Sequence, residues 1–187
     1  GVSWTERGPN NVAGRTHALM FDPNDVTRKK VWAGAVAGGL WYNNDITSSI
    51  STWQKVDDFW ANMAISTITS DPTNNQVFYV GTAEGFTQDS RGAGIWKTTN
   101  GGTTWNQLAS TTPAASSNFT YINKIIVHST GQVFAATSSG VRRSTDGGLT
   151  WSAIYNTNTA DMDLATNGDI YIGTFGGVVA RTTNPTA

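Results

Sequence analysis

"TTNGGTTW" at residues 98–105 and "STDGGLTW" at residues 144–151 decide the fold. Each opens on a hydroxyl residue, sets Asn100 or Asp146 two positions later, runs through two glycines and ends on Trp105 or Trp151. A short amide or carboxylate at that place can accept from the backbone N–H groups of its own turn. Gly102 and Gly148 supply backbone conformations that a Cβ penalises. The closing indole is a large apolar surface that needs a regular neighbour. Together these features predict a tight hairpin, clamped by a side chain and anchored by a ring.

Asn at position 100 sets the meaning of Asp at position 146. An amide can hold a turn but cannot serve as general acid, general base or nucleophile. Thr98, Asn100, Gly102 and Trp105 in one copy, and Ser144, Asp146, Gly148 and Trp151 in the other, are therefore assigned to structure. No catalytic residue is assigned to either hairpin.

Working outward, the hairpins prove to be the ends of a longer repeat. "VWAGAVAGGLWYNND…STW" (31–53), "VFYVGTAEGF…GAGIWKTTNGGTTW" (77–105) and "VFAATSSGVRRSTDGGLTW" (133–151) share one order of events, and "IYIGTFGGVVARTTNP" (170–185) begins a fourth. Each has an apolar strand, a small-residue turn, a return strand and the clamped hairpin. The first copy is degenerate: it keeps Asp45 and Trp53 but inserts residues between them. Upstream of each unit lies one more alternating run, such as "THALMFDP" (16–23) or "INKIIVHS" (122–129). Apolar residues recur at every second position and not at helical spacing. Four strands per unit, with Trp53, Trp105 and Trp151 standing 52 and 46 residues apart, match the period of a β-propeller blade.

The expected fold is thus all-β, a propeller of four-stranded antiparallel blades. The units fall roughly at 1–56, 57–109, 110–155 and 156–187, the last cut short. Aligning Asn184 with Asn100 puts the next tryptophan at position 189, two residues past Ala187. With the start at Gly1 instead of Met, this suggests a processed or excised piece of a larger propeller, whose partners would include further blades or domains of the same polypeptide. The alternative is a closed four-bladed ring whose last blade borrows a strand from the N-terminus.

Composition narrows the functional classes. Charged residues are 13% of the 187 and the formal net charge is −1, so no basic footprint for nucleic acid is present. There are no cysteines, which removes disulfides and thiolate metal sites. His17 and His128 show no metal-type spacing, and His17 on an inner strand reads as a hydrogen-bonded structural histidine. No metal and no cofactor are expected. The weakly polar run at 31–42 is too short to span a bilayer, so no membrane insertion is expected either.

The two octapeptides resemble the BNR/Asp-box motif of sialidases, oligoxyloglucan-type glycoside hydrolases, the sortilin ectodomain, a photosystem II assembly propeller and many secreted bacterial surface proteins. The opening "WTERGPNNVAGRTHALMFDPND" (4–25) is similar to the first blade of large secreted propellers common in Bacteroidota, many of which leave by type IX secretion. The resemblance implies a propeller fold and a secreted or cell-surface location. It also supplies tests for catalysis. Sialidases carry an early Arg-Ile-Pro motif, which this chain lacks. Oligoxyloglucan hydrolases carry an Asp just before a Gly-Gly pair in the first blade, where this chain has Ala35 and Val36 in "GAVAGGLW" (34–41). Glycoside hydrolysis needs two carboxyls; Asp57, Asp58 and Glu84 are available, and all three read as solvated loop carboxylates.

The expected binding face is the one opposite the clamped hairpins, where loops vary in length. "TAEGFTQDSRGAGI" (82–95) far exceeds its counterpart "TSSGV" (137–141), and 57–64 and 110–120 carry aromatics that no repeat register explains. Ligand-binding candidates are Trp60, Phe59, Phe86, Arg91, Glu84 and Asp58, because exposed aromatics stack on sugars or anchor protein partners. Trp41 and Trp96 share a register and are expected in the core; Trp4 is expected to pack at the first blade's edge. The function these features favour is non-catalytic binding or adhesion toward a glycan or protein. The rivals are the N-terminal part of a glycoside hydrolase and a protein-assembly scaffold.

Overall fold

The computed structural model describes residues 2–6, 15–56, 60, 64–86 and 90–187. Within them the chain forms four antiparallel sheets in sequence order, the blades of a β-propeller. The first contains β1 (Thr16–Phe21), β2 (Val31–Ala35), β3 (Gly39–Asn43) and β4 (Gln54–Lys55). The second contains β5 (Ile65–Asp71), β6 (Asn74–Thr82), β7 (Ile95–Thr98) and β8 (Asn106–Gln107). The third contains β9 (Ile122–Val127), β10 (Val133–Thr137), β11 (Gly140–Ser144) and β12 (Ser152–Tyr155). The fourth has three strands among the described residues: β13 (Thr159–Leu164), β14 (Ile170–Thr174) and β15 (Val179–Thr182). Two short 3₁₀ turns, Ala109–Thr111 and Ser117–Phe119, are the helical segments among the described residues.

Neighbouring strands within each blade pair in sequence order, and the innermost strands β1, β5, β9 and β13 pack one against the next. Strands are short because each crosses a blade once. Their two-residue alternation sends one set of side chains toward the preceding blade and the other toward the following one. In the second blade Ile68, Val80 and Trp96 stand in register and face the first blade, while Thr69, Tyr79 and Lys97 face the third. Three apolar cores result, one at each blade–blade interface. The middle strands β6 and β10 are the most deeply buried, having a blade on each side, and their continuous apolar runs follow from that.

Both octapeptides form the turn from the third strand of a blade to the fourth. In the third blade the Ser144 hydroxyl donates to Asp146 Oδ1 at 2.7 Å and accepts from the Gly148 N–H at 2.8 Å. The Asp146 carboxylate accepts from the Thr150 N–H at 2.9 Å and its hydroxyl at 2.5 Å. In the second blade Thr98 Oγ1 donates to Asn100 Oδ1 at 2.9 Å and accepts from the Gly102 N–H at 3.0 Å, and Asn100 Oδ1 accepts from the Thr104 N–H at 2.9 Å. The second glycine of each turn has positive φ, +87° at Gly102 and +99° at Gly148. A Cβ there would also lie 2.3 Å from the Trp32 ring and 2.4 Å from Leu108 Cδ1, respectively, so each hairpin is pressed onto the preceding blade. The degenerate first copy uses a different clamp: buried Asn43 accepts from the Asp45 N–H at 2.9 Å and the Ser51 hydroxyl at 2.6 Å.

Trp60 must be corrected. It is 8% exposed and stacks on Trp96, centroids 4.6 Å apart and planes 2° from parallel, with its edge toward Trp105 at 5.7 Å. A ring this large gains more by closing the indole-rich core between the first two blades than by standing in water. Phe119 does the same at the next interface, meeting Trp151 edge to face at 5.1 Å. The inter-unit aromatics therefore do have a register: each covers the tryptophan of the hairpin that follows it. Trp4 is corrected as well, being 94% exposed and packed on no blade.

Candidate binding face at the axial cleft

The clamped hairpins lie at one end of the strands. The second-to-third-strand turns and the blade-to-blade connections lie at the other, and there the four inner strands surround a cleft of about 300 Å³. Its lining includes His17 from β1, Ser66 and Thr67 from β5, Phe86 from the long loop after β6, Asn123 and Lys124 from β9, and Asp161 from β13. All four blades contribute. The inner strands are brought together by burial of residues such as Ala18, Ile65, Ile125 and Met162 in the blade–blade cores, and residues near the start of each inner strand line the cleft.

The floor is polar and incompletely paired. Ser66 and Asn123 are more than nine-tenths buried, and neither Ser66 Oγ nor Asn123 Oδ1 has a hydrogen-bond partner among the described residues. The Asn123 amide is held in place by its other end, Nδ2 donating to the Thr159 carbonyl at 2.6 Å. Buried polar atoms left without a partner cost about 1–3 kcal/mol each, and native proteins keep them chiefly where a ligand, an ion or water completes them. The rim is aromatic. Phe86 is 58% exposed and sits between His17, ring centroids 6.0 Å apart, and Phe175 of the β14–β15 turn, 5.3 Å apart.

Among the sequence-derived candidates, Phe86 lines this cleft and Arg91 is exposed on the return of the same loop. Glu84 does not fit its reading as a solvated carboxylate. It is 2% exposed, ion-paired with Arg15 of the first blade, and its Oε1 accepts from the Phe86 N–H at 3.1 Å. The base of the loop brings a guanidinium and a backbone donor to one point beside it. Asp57, Asp58 and Phe59 lie outside the described residues. His17 is an exposed rim residue and not the hydrogen-bonded core histidine expected. Sequence reasoning missed Ser66, Asn123, Lys124, Asp161 and Phe175. Their one signal is positional: four of them stand at the starts of inner strands, where blades converge on the axis.

The cleft's ionic groups are paired. Lys124 Nζ lies 4.0 Å from Asp161 Oδ1, and both side chains are open to solvent. Among the described residues no group of three or more His, Cys, Asp or Glu could hold a metal ion. The arrangement can exchange hydrogen bonds through Lys124 and Asp161, stack a flat or apolar surface on Phe86 and offer one charge of each sign.

No protein-family model matches the chain, and no curated protein sequence matches it. Solved structures do match. An ancestral GH74 enzyme superposes with a TM-score of 0.65 at 16% identity, over 92% of this chain and 26% of that one. YCF48, in a structure with a D1 peptide, gives 0.65 at 14% identity, over 93% of this chain and 53% of that one. The extracellular domain of the putative hybrid two-component system BT3049 from B. thetaiotaomicron gives 0.59 at 19% identity, over 89% and 23%. The chain thus spans between about a quarter and a half of each of these proteins. At such identities the likeness is one of fold, and the fold these neighbours share with the chain is the β-propeller.

Proposed function

We propose that this chain is a non-catalytic binding propeller of the Asp-box type, part of a secreted or cell-surface protein, which recognises a glycan or protein through the axial cleft and its aromatic rim. The observation that carries this reading is the cleft itself, where polar side chains from all four inner strands converge beside an exposed phenylalanine. Hydroxyl-rich or peptide groups can exchange hydrogen bonds with the exposed Lys124 and Asp161, and a sugar face or apolar side chain can stack on Phe86. Glycoside hydrolysis, by contrast, calls for a carboxyl kept protonated beside a second one. Glu84 is bound to Arg15 and Asp161 faces Lys124, which favours binding over that chemistry.

The test is a glycan array and a displayed peptide library probed with the wild-type chain, Phe86→Ala and Lys124→Ala. A ligand of the cleft binds the wild type and loses about tenfold or more in affinity to each variant, since each removes about 1.4 kcal/mol or more of contact. A confirmed ligand that binds all three proteins equally would move the site elsewhere. Turnover of a glycan by the wild-type chain would overturn the non-catalytic reading.

A further inference from the structure

At the hairpin end, the seam between two blades is closed by one side chain in all but the first blade. Tyr42, Lys97 and Arg143 correspond: each lies on a third strand opposite the residue that follows a hairpin tryptophan, Gln54, Asn106 or Ser152. Lys97 Nζ donates to the Gly147 carbonyl of the next hairpin at 2.9 Å, and Arg143 Nη1 to the Pro185 carbonyl at 3.1 Å. Tyr42 departs from this and gives its hydroxyl to Gln54 Oε1 of its own blade at 2.6 Å. Between Tyr42 and residues 101–103 of the second blade's hairpin the seam stays open, as a cleft of about 340 Å³.

A second departure puts charge there. Val31 pairs with Asn43 as Phe78 pairs with Thr98, so Lys30 stands where the second blade has buried Val77. Its Nζ lies 4.8 Å from the Trp32 ring centre, 5.2 Å from that of Tyr42 and 2.9 Å from Asp22 Oδ2. Asp22 is 3% exposed and also accepts from Trp32 Nε1 at 3.0 Å and the Asn24 N–H at 2.9 Å. The buried carboxylate thus braces the ammonium from outside the lining. An ammonium has three N–H donors, and Asp22 engages one of those on Lys30.

Lys55 of β4 brings a second ammonium to the lining, 5.8 Å from the Trp41 ring centre. Among the described residues no carboxylate lines the cleft. Two ammonium groups without an acid in the lining draw an anion. The other lining groups are chiefly polar: the exposed Asn44 amide, the Tyr42 and Thr103 hydroxyls and the bare turn at Gly101 and Gly102. The Thr103 hydroxyl donates to the Asn100 carbonyl at 3.0 Å, as that of Tyr42 donates to Gln54. Each therefore offers acceptor lone pairs, which suit the hydroxyls of a sugar better than an apolar side chain.

We propose that the open seam between the first and second blades binds an acidic sugar. Lys30 and Lys55 hold the carboxylate of a uronate residue, and its hydroxyls donate to Tyr42 and Thr103. The site lies on the hairpin face, opposite the axial cleft, and does not rest on the reading of that cleft.

Titration calorimetry tests this with tetrasaccharides of galacturonate, of mannuronate and of hyaluronan, and with methyl-esterified tetragalacturonate as an uncharged match. At least one acidic tetramer should bind the wild type and lose about tenfold or more in affinity to Lys30→Gln and to Lys55→Gln. The ester should bind about tenfold or more weakly than the free acid. Lys29→Gln, which removes the same charge from the same face outside the lining, should change affinity by less than about twofold. Lys30→Gln strips buried Asp22 of its cation, so its fold is checked by circular dichroism, and Lys55→Gln decides alone if it melts. No acidic tetramer binding with a Kd below about 1 mM overturns the site. Equal binding of acid and ester overturns the role of the carboxylate. A loss with Lys29→Gln as large as with Lys55→Gln reduces the effect to diffuse attraction and overturns the site. Inorganic sulfate that displaces the tetramer at equal concentration overturns the sugar. A tetramer lost on Phe86→Ala and kept on Lys55→Gln binds the axial cleft, which overturns this site and leaves the reading of that cleft standing.

Discussion

The hairpins 98–105 and 144–151 make the same fold with different chemistry. In both, the hydroxyl of the first residue bridges the side chain at the third position and the N–H of the second glycine. They differ in the last bond of the clamp. Asp146 Oδ2 accepts the Thr150 hydroxyl, whereas Asn100 Nδ2 donates to Thr104 Oγ1 at 2.9 Å. A threonine hydroxyl can play either part, so the turn tolerates a charge without needing one. The comparison teaches that the geometry belongs to the hydroxyl, the glycine and the indole. The residue between them sets only how the hairpin responds to acid.

The largest difference between the two should come from the rings. Trp105 meets three aromatic rings and Trp151 one, though both indoles donate to the carbonyl of their own glycine, at 3.1 and 3.2 Å. Truncating an aromatic anchor of this size leaves a cavity and costs about 3–5 kcal/mol. Trp105→Ala should lie at the upper end of that range and Trp151→Ala at the lower, measured by urea unfolding. Equal losses would mean that Trp60 and Phe78 gain nothing from the ring beside them. The comparison would then rest on the turns alone.

That contrast also marks how far the sequence could be read. Every partner in the clamp lies within four residues of another, and a pattern that recurs at a fixed spacing exposes such local bonds directly. Trp60 was misjudged because its partners, Trp96 and Trp105, belong to the following hairpin unit, and only the closed interface makes a loop aromatic into core. Glu84 was misjudged for the same reason, since its cation is 69 residues away on another blade. The rim of the cleft gathers His17, Phe86 and Phe175 from three blades. No spacing announces such a meeting, because the blades' rotation about the axis is a property of the packed whole.

A middle-sized effect should separate hydroxyl from carboxylate. Ser144 is 1% exposed, and its loss strips the Gly148 N–H of its acceptor inside a packed interface. Ser144→Ala should cost about 1–3 kcal/mol. Thr98→Val should cost a similar amount, because Thr98 is equally buried and serves Gly102 in the same way. If Thr98→Val proved harmless while Ser144→Ala did not, the two hairpins would not share a clamp, and the charge at position 146 would have to carry part of the geometry.

The smallest effect is the sharpest. Hydrogen bonds from the Thr150 hydroxyl and N–H, and from the Ser144 hydroxyl, hold the Asp146 carboxyl far below the usual carboxylate range. A carboxyl whose pKa is depressed by folding stabilises the fold above its unfolded value, about 3.9, and that contribution is lost as pH falls below it. Asn100 has no proton to gain. Asp146→Asn should therefore move the melting temperature at pH 7 by no more than about 1–2 °C, as exposed substitutions that keep their bonds do. Between pH 5 and pH 2, however, the variant should lose less stability than the wild type. Its amide can turn Nδ2 toward Thr150 as Asn100 does toward Thr104. Asp25 and Asp45, likewise depressed by their own turns, titrate in both proteins and cancel in the difference. Asn100→Asp should impose the converse, adding an acid-labile clamp to the second blade. Identical acid profiles for wild type and Asp146→Asn would show that the carboxylate is not bonded in solution as it is in the hairpin, and that the two turns differ in more than charge.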